Sequence, residues 1–265
     1  MNGRARMKEA STFALYYGVG RVEELSRFDL AIVEPAGQSE NEIRELKRSG
    51  TLPAAYVSVM EIADYDPMFR LLNDEDFLSD SGGQRVCNEQ FGTYMLDLTS
   101  PRWQGLLFHR IGSLLVKSGY EGIFLDTIGN VELHRLPAER QLEQLHAAAH
   151  MVRQLRERFP EAVLIQNNGL HQLGEMTCRW LDGICWENPN FVAADSMEWS
   201  MDTLERLTAF AEGSGVRVLL LIELYGNEDS VRNETTVRKA AESRNFMVYG
   251  APPQYVSDVY GLDKG

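Results

Sequence analysis

The sequence predicts an α/β protein closed into a single (β/α)8 TIM barrel, and three observations predict it. Short apolar, β-branched or aromatic runs alternate with longer segments of helical period, which is the pattern of repeated βα units. The 265 residues match the roughly 250 that such a barrel takes. No Pro/Ser/Gly-rich linker divides them, so residues 1–265 read as one domain. An open doubly wound sheet is the alternative, but no GxGxxG follows the first strand.

The runs that read as strands are Phe13 to Tyr17, Asp29 to Glu34, Ala54 to Met60, Tyr94 to Leu98, Glu121 to Asp126, Ala162 to Asn167, Asp182 to Glu187, Val216 to Glu223 and Phe246 to Tyr249. A closed barrel takes eight strands, so one of these nine lies outside the ring; the short Tyr94 run or a terminal run is the candidate. Helical period is clearest in Ala138 to Arg158, where Leu142, Leu145, Ala149, Val152, Leu155 and Phe159 form one stripe before Pro160 ends the helix. A second helix starts at Pro101 with Ser100 as N-cap and Trp103, Leu106, Leu107, Ile111 and Leu114 as its apolar positions. The aperiodic stretch Asn73 to Gly92 is expected to be a long βα loop or lid.

Composition removes several function classes. Lys and Arg number 26 against 39 Asp and Glu, a net charge of −13, so the long-range field repels phosphate backbones and anionic lipid; neither nucleic acid nor membrane is expected as a partner. No apolar run is long enough to span a bilayer, and residues 1–11 carry no signal-peptide core. A cytoplasmic protein is therefore expected, or an extracellular one if a leader has been removed. The three cysteines, Cys87, Cys178 and Cys185, form no CxxC and read as core residues. His146 and His150 make an HxxxH spacing away from the apolar stripe of their helix, with no third ligand nearby. His109, His134 and His171 are isolated, and His171 alone follows a strand end closely enough to reach a rim. Gly18-Val-Gly20 lacks the remaining residues of a phosphate loop. No GxSxG provides an acyl-transfer nucleophile.

The carboxylates carry the stronger signal. Glu34, Asp97, Asp126, Glu187 and Glu223 lie at or near strand ends, with Glu61 just past another. In a barrel these ends share one rim, where active sites sit, although any single acid could instead cap a helix or bind local backbone. Alternation places Gly122, Phe124 and Asp126 on one face of their strand, and Gly183, Cys185 and Glu187 on one face of theirs, while Ile123, Leu125, Ile184 and Trp186 would pack beneath helices. Asn167 and Asn168 end the strand between these two, and an amide there would bind sugar or orient a carboxylate. Strands two apart would bring the two carboxyl groups within about 5 to 9 Å, an interval that includes both retaining and inverting glycosidases.

The segments 29–34 (DLAIVE), 56–61 (YVSVME), 94–103 (YMLDLTSPRW), 119–127 (GYEGIFLDT), 166–169 (QNNG) and 182–187 (DGICWE) together resemble the endo-α-1,4-polygalactosaminidases, glycoside hydrolase family 114. The resemblance implies a barrel that hydrolyses α-1,4-linked galactosamine or N-acetylgalactosamine polysaccharide or oligosaccharide. It implies Asp126 and Glu187 as the catalytic pair and Tyr16, Glu34, Tyr56, Ser58, Glu61 and Asn168 along the subsites; Glu223, at a later strand end, is a further candidate for substrate binding. No cofactor and no metal are expected, since two carboxylates suffice for glycosidic cleavage. The chain departs from the family at Gly129, where a second Asp often stands, at Met60, and at 77–87, which replaces a tryptophan-rich stretch. A carbohydrate-binding barrel with a degenerate site and a metal-dependent barrel enzyme are the alternative readings.

Overall fold

The computed structural model describes residues 2–80, 82–133, 136–193 and 196–261. Eight strands lie side by side in chain order: β1 (Phe13–Tyr16), β2 (Leu30–Val33), β3 (Leu52–Ser58), β4 (Gly122–Asp126), β5 (Val163–Asn167), β6 (Gly183–Glu187), β7 (Arg217–Glu223) and β8 (Met247–Ala251). Every ladder between them is parallel, and helices separate the later strands, so the fold is a (β/α)8 barrel. Among the described residues β1 and β8 meet through side chains rather than a ladder, the rings of Phe13 and Tyr249 standing 5.8 Å apart. Just beyond them the Tyr17 N–H donates to the Tyr255 carbonyl at 2.8 Å.

The run left outside the ring is the one at Tyr94. Thr93–Met95 pairs antiparallel with Glu61–Ala63 and with Cys87–Asn88 in a separate three-stranded sheet. The segment 73–92 is therefore not a bare loop but part of a folded excursion between β3 and the next helix. Its apolar side is closed by Phe69, Phe77 and Tyr94, whose ring centroids lie 5.4 to 6.2 Å apart, and Arg85 stacks 3.9 Å above Phe77.

The helices are α1 (Gly3–Glu9), α2 (Val22–Leu25), α3 (Glu40–Ser49), α4 (Pro101–Val116), α5 (Ala138–Arg158), α6 (Gln172–Thr177), α7 (Met197–Ser214) and α8 (Glu228–Glu242). Ser100 caps α4 as expected, its hydroxyl accepting the Trp103 N–H at 3.1 Å. On α5, Leu145, Ala149, Val152 and Leu155 are buried, but Leu142 is 51% exposed. The first turns of α5 instead direct polar groups inward: Gln144 is buried and donates to Asp97 at 2.8 Å, and Arg140 pairs with Asp97 at 2.7 Å.

Helix α1 closes the N-terminal end of the barrel. Met7 is fully buried, and its methyl lies only 2.8 Å from where a Cβ on Gly183 would stand, so the small residue in β6 makes room for this plug. Arg4 and Arg156 both pair with the buried Asp182 at the start of β6, at 2.8 and 2.5 Å, tying α1 and α5 to the sheet. None of the described helices is long and apolar enough to cross a membrane.

Candidate active site

Strands β4, β5 and β6 are consecutive in the ring, which puts Asp126 and Glu187 two strands apart at the C-terminal rim with Asn167 between them. The Asn167 Nδ2 donates to Asp126 Oδ1 at 2.7 Å and to Glu187 Oε2 at 2.9 Å. Those two bonds laid end to end limit the separation of the oxygens to 5.6 Å. Asn167 is 2% exposed, and among the described residues its Oδ1 has no partner, so its side-chain bonds there go to the two acids.

Each acid also accepts from one tyrosine. Tyr56, on β3, donates to Asp126 Oδ2 at 2.7 Å, and Tyr255, after β8, donates to Glu187 Oε1 at 2.7 Å. Tyr17 joins the two tyrosines, its ring meeting that of Tyr56 at 4.8 Å and that of Tyr255 at 5.5 Å, both edge-on. Burial raises the pKa of both acids, since an ionised carboxylate loses hydration there. For Glu187 the negative charge of Asp126 adds to burial, with Glu223 as a smaller contributor, against the hydrogen bonds from Asn167 and Tyr255. For Asp126 burial is opposed by hydrogen bonds from Asn167, Tyr56 and the Thr127 N–H.

The chain leaves each of the three strands through a left-handed residue: Thr127 at φ +58°, Asn168 at +54° and Asn188 at +52°. A β-branched residue there is rare, and each side chain is used to lace neighbouring strands. Thr127 Oγ1 accepts from the Val59 and Met60 N–H groups at 3.1 and 2.8 Å. Asn168 Oδ1 accepts the Glu187 N–H at 3.1 Å, and Asn188 Oδ1 accepts the Glu223 N–H at 2.9 Å. These bonds fix the backbones that carry the rim acids.

The other residues expected at the rim divide. Ser58 stands level with Asp126 in the register, its hydroxyl bonded to the Glu61 carbonyl at 2.7 Å and to Thr127 Oγ1 at 3.1 Å. Glu61 is buried and accepts from Asn88, from Thr93 and, at 2.6 Å, from Asn130. Glu34 accepts the Ala36 N–H at 3.2 Å, and burial raises its pKa. Glu223 is held by Tyr225, Asn188 and the Gln254 N–H. Asp97 is not at the rim: it lies after the small sheet, bonded to Thr99, Gln144 and Arg140. Tyr16 is 4% exposed with its hydroxyl 3.4 Å from the Val19 carbonyl, and Tyr17 takes the place beside the acids. The strand register gives the reason. Leu15 pairs with Ile32, Ile32 with Ala54, and Ala54 with Gly122, so the parity that leads to Asp126 passes through Leu15 and on to Tyr17.

The same parity places Asn167 rather than Asn168 against the acids, because Asn167 pairs with Cys185. Tyr255 was beyond reach of sequence patterning, since it comes from a segment of no period in which Gln254 and Tyr255 are both left-handed. Gly129 has a packing reason: a Cβ there would lie 2.5 Å from the Gly169 nitrogen and 2.8 Å from Asn168 Cβ, so this chain has no room for an Asp. Cys185 is fully buried beneath Glu187. His171 stacks on Trp199 at 5.5 Å, His146 and His150 lie exposed on α5, and His134 falls outside the described residues. Among the described residues no three His, Cys, Asp or Glu side chains gather in a way that could hold a metal ion.

Comparison with known proteins agrees with this architecture. The glycoside hydrolase domain of PelA from Pseudomonas aeruginosa superposes with a TM-score of 0.76 at 24% identity, over 93% of this chain and 96% of that one. Aspergillus fumigatus Ega3, solved in complex with galactosamine, superposes with a TM-score of 0.69 at 12% identity over 96% of both chains. An uncharacterized protein of Methanocaldococcus jannaschii, MJ1477, is 30% identical over 98 residues, 36% of this chain and only 26% of that protein. The profile of the glycoside-hydrolase family GH114 matches residues 2–219, from α1 into β7, and the chain belongs to that family.

Proposed function

We propose that this protein is a retaining glycoside hydrolase that cleaves α-1,4-linked galactosamine or N-acetylgalactosamine polymers, with Glu187 as general acid/base and Asp126 as nucleophile. The observation that carries the reading is the single Asn167 amide nitrogen bonded to both buried carboxylates. Retaining enzymes hold their carboxyl groups about 5 to 5.5 Å apart and inverting ones about 6.5 to 9.5 Å. A limit of 5.6 Å between the bonded oxygens falls on the retaining side of that division.

The electrostatics support the division of roles. Glu187, raised by burial and by the charge of Asp126, is assigned the proton, and Asp126, whose burial is opposed by three donors, the negative charge. Glu187 gives that proton to the glycosidic oxygen as the bond breaks, and Asp126 attacks the anomeric carbon to form an ester of inverted configuration. Glu187, now ionised, takes a proton from water as the water attacks that carbon and releases Asp126. Two inversions return the α configuration. The amino-sugar assignment is supported by the galactosamine bound to Ega3 and by the net charge of −13, which attracts cationic sugars.

Hydrolysis of a galactosamine oligomer followed by proton NMR tests the reading directly. The α-anomer is expected as the first product. A β-anomer appearing first would overturn retention, and the absence of cleavage across acetylated and deacetylated oligomers would overturn the enzyme.

A further inference from the structure

One exposed aromatic at the rim is held in place in a way an ordinary surface tyrosine is not. Tyr225 follows β7 and is 62% exposed, yet its hydroxyl donates to Glu223 Oε2 at 2.8 Å and its own N–H donates to Ser230 Oγ at 3.2 Å. Glu223 is fixed in turn. Its Oε1 accepts the Gln254 N–H at 2.7 Å, its Oε2 also accepts from Asn188 Nδ2 at 3.3 Å, and its N–H donates back to Asn188 Oδ1 at 2.9 Å.

The frame is continuous with the catalytic pair proposed above. Asn188 follows Glu187 directly, and Gln254 directly precedes Tyr255, the donor to Glu187. Glu223 lies near enough for its charge to act on Glu187. A flat, accessible ring beside an anchored carboxylate has the two parts that recognise an amino-sugar: a π-face for the ring's C–H surface, and an anion for an ammonium or hydroxyl group.

We propose that Tyr225 and Glu223, held by Asn188 and the Gln254 backbone, form a separate subsite for a second amino-sugar residue of the chain being cleaved. The stacked residue lies on the β7 side of the scissile bond, so the subsite engages oligomers and not single sugars. The identity of the ligand rests on the hydrolase reading; the subsite's own evidence is the anchored ring.

The experiment compares wild type, Tyr225→Ala and Glu223→Gln on galactosamine oligomers from dimer to hexamer and on an aryl α-galactosaminide, with calorimetric binding of the hexamer measured in parallel. Loss of the ring is expected to raise KM for the hexamer about 2- to 10-fold, the range of one aromatic contact. It should leave kcat within about twofold, and KM for the aryl substrate unchanged. Glu223→Gln is expected to reduce the preference for the deacetylated over the acetylated hexamer.

In Tyr225→Ala, equal changes on the aryl substrate and the hexamer, or no change on either, would overturn the subsite while leaving the hydrolase intact. If wild type binds the hexamer without cleaving it, the hydrolase reading fails and the subsite is decided by calorimetry: weaker binding in Tyr225→Ala supports it, and equal binding overturns it. If wild type binds no oligomer, both fall.

Discussion

The hydroxyl of Tyr255 donates to Glu187 Oε1 at 2.7 Å from a segment separated from Glu187 by more than sixty residues, and it lowers the pKa that burial and Asp126 raise. Tyr255 thus adjusts the ionisation of Glu187 through one hydrogen bond. Its ring is buried against Tyr17, so the hydroxyl can be removed with little repacking.

Tyr255→Phe is expected to move the alkaline limb of the pH–rate profile upward, because the ionised form of Glu187 loses a donor while the protonated form loses little. Glu223→Gln is expected to move the same limb down, because it removes a negative charge that raises Glu187. Opposite displacements of kcat/KM against pH in the two variants would identify Glu187 as the group that titrates. Shifts of the same sign would assign the limb to another group.

Binding is expected to weaken as salt rises and to favour deacetylated oligomers, because the acidic rim attracts ammonium groups and salt screens that attraction over about 10 Å at 0.1 M. Titration calorimetry of acetylated and deacetylated hexamers at two salt concentrations checks this. Equal, salt-independent affinities would remove electrostatics from recognition.

Gly129→Asp, which introduces the residue often present in the family, is expected to destabilise this chain. The new Cβ would meet the Gly169 nitrogen and Asn168 Cβ, and overpacking of that kind costs about 1 to 3 kcal/mol. At about 2–4 °C per kcal/mol for a chain of this size, a thermal melt resolves it. Asn168 also holds the Glu187 N–H, so activity should fall with stability. A variant as stable and active as wild type would show that the 127–130 and 168–169 turns yield easily.

What the sequence made legible follows a physical division. Asp126 and Glu187 stand on strands with strict period 2, so alternation alone places them on the face of Gly122 and Gly183, and the register agrees. Helix α5 carries a long period and a Pro stop, and its bounds are met, although Leu142 is misassigned because Gln144 turns inward to Asp97. Tyr16 and Asn168, which the resemblance rather than alternation places along the subsites, lie one residue from Tyr17 and Asn167, the residues whose strand parity leads to the two acids. Asp97 has the local look of a strand-end acid, but its strand belongs to another sheet, and only tertiary pairing reveals that. Tyr255 and Tyr225 lie in aperiodic connections, whose conformation depends on left-handed residues and on partners distant in sequence.

Asp126→Asn and Glu187→Gln are each expected to lose about 10² to 10⁴ in kcat, the usual worth of a positioned acid or base, while the fold survives. The stability forecast has a sign of its own. Both acids have folded-state pKa values raised by burial, so their contribution to stability is fully present below the unfolded carboxylate pKa of about 4 and is lost as pH rises through the raised values. At pH 8 the ionised forms, which the site disfavours, weigh most against wild type. Each amide variant, which cannot ionise, should melt higher than wild type there. At pH 4 that penalty is smaller, and the advantage should shrink. Melts at the two pH values, alongside reducing-end assays, separate this from a purely structural role, in which the amides would disturb bonds from Asn167, Tyr56 and Tyr255 and melt lower at both. Near-normal turnover in either variant would remove that residue from the pair and move attention to Glu223, the next carboxylate along the rim.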